Sequence, residues 1–313
     1  MEETKVKKWL AGIVTTMVAV VLLSACGSNE TSGDSNGLIK VTTTTGQVAD
    51  IVKNVGGDKV EVASLMGPGV DPHLYQASQG DIKKLNDAEI ILYNGLHLEG
   101  KMEEIFEKMS EDKPTVAVAD DIPEDMLLGA DDSNAHDPHV WFDIPAWLYA
   151  VDVVKEQLSE LSPENKELFE ENAEKYRKEL EEVHAYAQEQ IETIPEESRV
   201  LVTAHDAFKY FGHAYGLEVM GLQGLSTDSE YGLKDVQSLV DTLVDRKIKA
   251  VFIESSISEK SINAVVEGAK KENHEVVIGG ELFSDAMGEE GTNEGTYVGM
   301  FKHNIDTIVS SLK

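Results

Sequence analysis

Between Pro163 and Pro195 the chain carries Phe169, Ala173, Tyr176, Leu180, Val183, Ala187, Ile191 and Ile194 on a highly charged background. Gaps of three and four residues place these side chains on one face of an α-helix. Ser162 followed by Pro163 reads as an N-cap with proline at the first helical position, and Pro195 closes the run. About 31 residues at ~1.5 Å each make a rod of roughly 46 Å. That is long enough to run along two domains. Its position near the middle of the chain makes it a spine between them rather than an ordinary surface helix.

On both sides of this rod, short β-branched runs alternate with amphipathic stretches. Before it, residues 38–45, 60–65, 89–93 and 115–118 read as strands, with helices over 47–55, 81–87 and 101–110. Pro145 opens a further helical stretch that reaches Leu161. After the rod, strands are expected at 199–203, 217–221, 250–253 and 275–278, with helices at 207–215, 233–247, 258–273 and 296–312. Such alternation argues for α/β architecture with mostly parallel sheets. The expectation is an N-terminal lobe over 38–144, a helical region with the spine over 145–195, and a C-terminal lobe over 196–313.

The first residues read as an address. Lys5, Lys7 and Lys8 precede an apolar run from Trp9 to Leu23, and Ser24 and Ala25 lead to Cys26. About 15 apolar residues are short for a span of ~20 and fit a secretory leader better. The string LSAC resembles a bacterial lipobox, with cleavage before Cys26 and a diacylglycerol on its thiol. Residues 1–25 are thus expected to be a signal peptide, and 26–37 a lipidated cysteine and a flexible polar tether. Cys26 is the single cysteine, so there is no intrachain disulfide and no cysteine-based metal site. A formal charge of -31 excludes a nucleic-acid binder, which needs a basic stripe.

Any metal must therefore be held by His, Asp and Glu. In open α/β sheets ligands bind beyond the carboxyl ends of strands. Asp71-Pro72-His73 follows the second strand through the turn GPGV, and the same tripeptide recurs as Asp137-Pro138-His139. Proline stiffens each loop and presents its imidazole at low entropic cost. His205 directly follows the strand RVLVTA, and Asp285 lies in LFSDAMG shortly after EVVIGG. A neutral imidazole suits Zn²⁺, Mn²⁺ and other divalent ions. Spacing alone leaves two readings open: a polar, histidine-rich cleft between lobes, or loop histidines used for turns and packing.

The strings GPGVDPHLYQASQGD, NGLHLEGKM, DPHVWFD, LVTAHDAFKYFG, VFIESSISEKS and LFSDAMG resemble the metal-specific substrate-binding lipoproteins of ABC transporters. They are most similar to the manganese-binding lipoproteins of Gram-positive bacteria. The resemblance covers residues 38–313 and the lipobox. It implies two (β/α) lobes joined by one long rigid helix, with the metal in the interlobe cleft. It implies His73, His139, His205 and Asp285 as ligands of one divalent transition metal ion, the transported cargo. In the family the third position is usually Glu in streptococcal manganese proteins and His in zinc-type and mixed members. His205 thus keeps Zn²⁺ as the alternative to a favoured Mn²⁺. The loop GADDSNAHD is short and holds one histidine, His136, unlike the long His-rich loop of dedicated zinc binders. Glu254, after the strand AVFI, is expected to orient an imidazole from outside the ligand set.

The resemblance further implies a membrane permease and a cytoplasmic ATPase as partners. It places a lipid-anchored, monomeric chain on the outer face of a Gram-positive cell membrane. An extracellular zinc hydrolase is the contrasting class. The chain has neither HExxH nor GxSxG, and four protein ligands would leave a metal no open position for water. His97, His136 and His184 read as structural or surface residues, and Asp71 and Asp137 as residues that fix their loops.

Overall fold

The computed structural model describes residues 37–129, 135–229 and 231–313. The leader, Cys26 and the tether up to residue 36 lie outside the described residues.

Four parallel strands, β1 (Ile39–Thr43), β2 (Val60–Ser64), β3 (Ile90–Tyr93) and β4 (Thr115–Ala117), form a sheet of order β2-β1-β3-β4. Helices α1 (Gly46–Gly56), α2 (Gln79–Asp87) and α3 (Glu103–Ser110) make the crossovers. Thr45 caps α1 by accepting from the Val48 amide, and Ser78 and Asp81 form a reciprocal capping box on α2. Next come α4 (Ile144–Leu161) and α5 (Lys166–Glu192), then β5 (Val200–His205), α6 (Lys209–Tyr215), β6 (Glu218–Gln223), α7 (Leu233–Arg246), β7 (Ala250–Glu254), α8 (Lys260–Lys271), β8 (Val277–Leu282) and α9 (Tyr297–Leu312). β5 pairs with β6 and β7 with β8, both parallel, and β5 lies against β7. The expected α/β class, with parallel strands on both sides of a long helix, is what forms.

All eight apolar residues of the spine stripe are buried. α5 packs on α4, on α1 from the first half and on α9 from the second. At ~1.5 Å per residue its 27 residues span about 40 Å. It is shorter than the proline-to-proline reading because Pro163–Asn165 form a 3-10 turn before it. Ser162 supplies no side-chain cap to the backbone there. Its hydroxyl donates to Glu164 (2.6 Å) and accepts from the Asn165 side chain (2.8 Å) instead.

The core has three parts. One apolar cluster runs continuously from Ile39 and Val41 through α4 and α5 to Phe301 and Leu312, so both halves share it. A second belongs to β5–β7 with α7 and α8, and a third to β3 with α2 and α3. Burial of this kind is the main stabilising term of the fold.

β8 starts two residues later than expected and runs on through Gly279-Gly280 to Leu282, four residues past the expected end. The glycines are there for contact. A Cβ on Gly280 would sit 2.5 Å from Thr307 Cγ2, and one on Gly279 would sit 2.8 Å from Ser311 Cβ, both on α9. Helix α9 thus lies directly on the β8 backbone, and a register irregularity between Val251 and Phe252 accompanies it.

Candidate metal centre

Each residue named from the sequence sits where a strand ends or a loop turns toward its neighbours. His205 is the last residue of β5 and Glu254 the last of β7. Asp285 follows β8, His73 lies in the loop after β2, and His139 opens the 3-10 turn Val140–Phe142 that leads into α4. The two Asp-Pro-His loops are built alike. Asp71 Oδ1 accepts the His73 amide at 2.9 Å, and Asp137 Oδ1 accepts the His139 amide at 2.9 Å.

The structure brings His73, His139, His205 and Asp285 together. All four are buried, and one ligand atom from each lies within 4.8 Å of the others. His73 Nε2 is 3.3 Å from His139 Nε2. Asp285 Oδ1 is 3.4 Å from His139 Nε2, and its Oδ2 is 3.3 Å from His205 Nε2 and 3.8 Å from His73 Nε2. These distances put the groups in ion-pair reach, yet both Asp285 oxygens and His205 Nε2 are buried without a hydrogen-bond partner. Buried polar atoms are rarely left so. Unpartnered donors aimed at one point fit a cation, and this group could hold one metal ion.

Two imidazoles are backed by carboxylates. His139 Nδ1 donates to Asp137 Oδ1 at 2.7 Å, and His205 Nδ1 donates to Glu254 Oε2 at 2.6 Å. Glu254 Oε1 also accepts the His205 amide at 2.8 Å. Such bonds fix the tautomer that turns Nε2 to the centre and make it a stronger donor. Glu254 thus contacts both the ring and the amide of His205. Asp137 does more than hold its loop. The expected result of Glu254→Gln, which keeps the shape and removes the charge, is metal affinity weaker by about tenfold. Calorimetric titration with Mn²⁺ or Zn²⁺ checks it, and unchanged affinity would remove Glu254 from the site.

The electrostatics of the group follow from the same contacts. Burial alone would lower the pKa of His139, but Asp137 and Asp285 outweigh it and raise it to about 9. Glu254 and Asp285 likewise overcome burial at His205 and raise it well above the ordinary histidine value. At His73 burial dominates and lowers the pKa to about 3. Asp285, although buried, is held well below the usual carboxylate range by His205 and His139.

Residues that sequence reasoning did not single out lock the loops together. Trp141 Nε1 donates to the Ser284 carbonyl at 3.2 Å, which ties the His139 loop to the residue before Asp285. Tyr297 Oη donates to the Trp141 carbonyl at 2.5 Å, and Tyr210 Oη to the Asp137 carbonyl at 3.2 Å. Asn94 Nδ2 donates to the Pro138 carbonyl at 3.0 Å. The aromatic run after DPH was the one available signal. The remaining histidines stay outside. His97 is exposed and pairs with Glu103, and His136 lies 3.2 Å from Glu124. His184 is half-buried rather than solvent-facing, with its Nδ1 3.0 Å from Tyr215 Oη.

The family model for "Zinc-uptake complex component A periplasmic" (ZnuA) matches residues 41–311. The chain belongs to the ZnuA family. Among ZnuA-like relatives, the manganese-binding lipoprotein MntA of Bacillus subtilis is 56% identical over 301 residues, 96% of this chain and 98% of its own length. The zinc-binding protein TroA of Treponema pallidum is 49% identical over 288 residues, 92% of each chain. The solved structure of the periplasmic zinc-binding protein TroA from Treponema pallidum superposes with a TM-score of 0.86 at 50% identity, covering 88% of this chain and 99% of that one. The ZnuA fold therefore accounts for the parallel sheets, and the buried His/Asp group is the candidate centre.

Proposed function

We propose that this chain is the extracytoplasmic substrate-binding lipoprotein of an ABC transporter. It captures one divalent transition metal ion, Mn²⁺ in preference, on His73, His139, His205 and Asp285, and delivers it to a membrane permease driven by a cytoplasmic ATPase. The observation that carries this reading is the buried group of three imidazoles and one carboxylate with its unpartnered donor atoms. The relatives support it: besides MntA, the manganese ABC transporter substrate-binding lipoprotein PsaA of Streptococcus pneumoniae is 30% identical over 311 residues. They are binding proteins, and this chain is not an enzyme. Lipidation of Cys26 would hold a monomeric body at the outer face of the cell membrane. Among the described residues no helix is long and apolar enough to cross a membrane.

The two Asp285 oxygens face different imidazoles, Oδ1 toward His139 and Oδ2 toward His205 and His73. That arrangement suits a carboxylate giving both oxygens, hence five donors, which is less suited to tetrahedral zinc. Zn²⁺ as the main substrate is the second reading. Three imidazoles favour it in the Irving–Williams order, and TroA is named for zinc.

Binding must displace protons. In the metal-stripped protein His139 keeps a proton below about pH 9, His205 is shifted in the same direction, and His73 is already neutral. An arriving cation removes those protons, so affinity falls as pH falls, by about tenfold per pH unit for each proton displaced. The test is calorimetric titration of the metal-stripped protein with MnCl₂ and ZnCl₂ between pH 5 and 7, with bound metal counted by elemental analysis. One ion per chain and affinity that climbs with pH are expected. Absence of stoichiometric binding, or flat affinity, overturns the proposal.

A further inference from the structure

His139 and His205 are each held through Nδ1 by a carboxylate of their own lobe. His73 is held differently. The carboxylate that grips it, Asp71, does so through the backbone amide at 2.9 Å, so the imidazole is only as fixed as its loop. The other Asp71 oxygen, Oδ2, accepts from Thr227 Oγ1 at 2.5 Å, and Thr227 comes from the opposite half of the chain.

Thr227 lies in the loop that leaves β6. The last residue of that strand, Gln223, stands in register with His205 on β5. Its side-chain Nε2 donates to the Thr227 carbonyl (2.6 Å) and the Ser229 carbonyl (2.5 Å), curling residues 224–229 into a closed turn. The next residue, Asp228, reaches back across the same boundary to Lys101 Nζ at 2.7 Å. One short loop, organised beside His205, thus grips the first half of the chain at Asp71 and at Lys101.

The geometry points to Thr227 as a positioning residue for His73. Through Asp71 its hydroxyl locks the Asp-Pro-His loop that presents the imidazole, and metal leaves when this latch opens. The inference rests on the proposed function, because it concerns how the same site keeps and releases its ion. The chemistry is a hydroxyl donating to a carboxylate, a charge-assisted bond stronger than a neutral one. The Lys101–Asp228 pair is largely exposed, so solvent screens it, and it contributes less. The latch keeps bound metal from escaping rather than drawing it in. Its loss therefore shows in the dissociation rate, as most changes within one binding surface do.

The test uses the full chain in detergent, loaded with Mn²⁺ or Zn²⁺ and chased with excess EDTA. Thr227→Val keeps the shape and removes the donor, and metal should leave about tenfold faster. Thr227→Ser restores the hydroxyl and should return the rate to that of the parent. The association rate should change by no more than about threefold in either variant. Release from Thr227→Val at the parent rate overturns the latch, as does Thr227→Ser being equally impaired, since a general packing defect would not be rescued by the hydroxyl. Lys101→Met gives a second reading that leaves the Asp71 contact intact, and it should accelerate release less than Thr227→Val. A parent chain that takes up neither metal removes the proposed function and the latch with it. A parent that binds, loses binding on His139→Ala and is indifferent to Thr227→Val removes the latch alone.

Discussion

His139→Ala should abolish tight metal binding, whereas His184→Ala should leave it unchanged. His139 is fully buried and its Nε2 faces both His73 and Asp285. Removing an outer partner of a ligand costs 10–100-fold in affinity, and removing the ligand itself should exceed about 100-fold. The loss has a second part. Asp137, also fully buried, would lose the imidazole that its Oδ1 contacts, and a buried carboxylate left without its partner is costly. His139→Gln, which retains a polar side chain beside Asp137, separates ligand loss from this penalty. The hydrogen-bond partners of His184 are Tyr215 and Gln188, neither of them in the metal group. Titration of both variants with Mn²⁺ and Zn²⁺, with circular dichroism to verify folding, decides the matter. Equal and unchanged affinity in the two would refute the ligand assignment.

Phe142→Ala should lower unfolding free energy by about 3–5 kcal/mol. Phe142 is fully buried three residues after His139. Its ring stacks on Phe208 at a centroid distance of 4.5 Å and meets Phe211 edge-on at 6.3 Å and Phe301 at 6.2 Å. Those partners come from the segment after β5, from α6 and from α9, so the ring joins separate elements of the shared core. Elements fixed by the parallel sheets cannot close around the void, which places the cost above that of a site free to collapse. Urea denaturation in EDTA measures it without a contribution from bound metal. A loss below about 1 kcal/mol would show that the aromatic cluster is not where the halves are held together.

The site was legible in parts. Each residue of the candidate group was visible as a polar residue at a strand end or in a stiff Asp-Pro-His loop, because the carboxyl edge of a parallel sheet is where such residues find a ligand. Glu254 was visible for the same reason. The Asp137 contact to the His139 ring was not, since an Asp two residues before a His signals a turn whether or not its oxygen also reaches Nδ1. Thr227 gave no signal at all. It is a single hydroxyl in a polar loop, and its partner lies 156 residues away.

The elements themselves followed from local physics. The spine stripe needed only the helical period to identify its buried face, and all eight of its residues are inside. Where the strand ran past its expected end, a distant contact was involved: Gly279-Gly280 lie in β8 where α9 comes too close for a Cβ. By itself the sequence determined the α/β class, the long helix and the residues available to bind a cation, because these depend on neighbours three or four places apart or on residue chemistry. Only the tertiary structure decided that four residues scattered from 73 to 285 meet within 4.8 Å, which imidazoles are backed by carboxylate, and what fastens His73. Those outcomes depend on which strands pair, in what register, and on the packing of loops that no local period encodes.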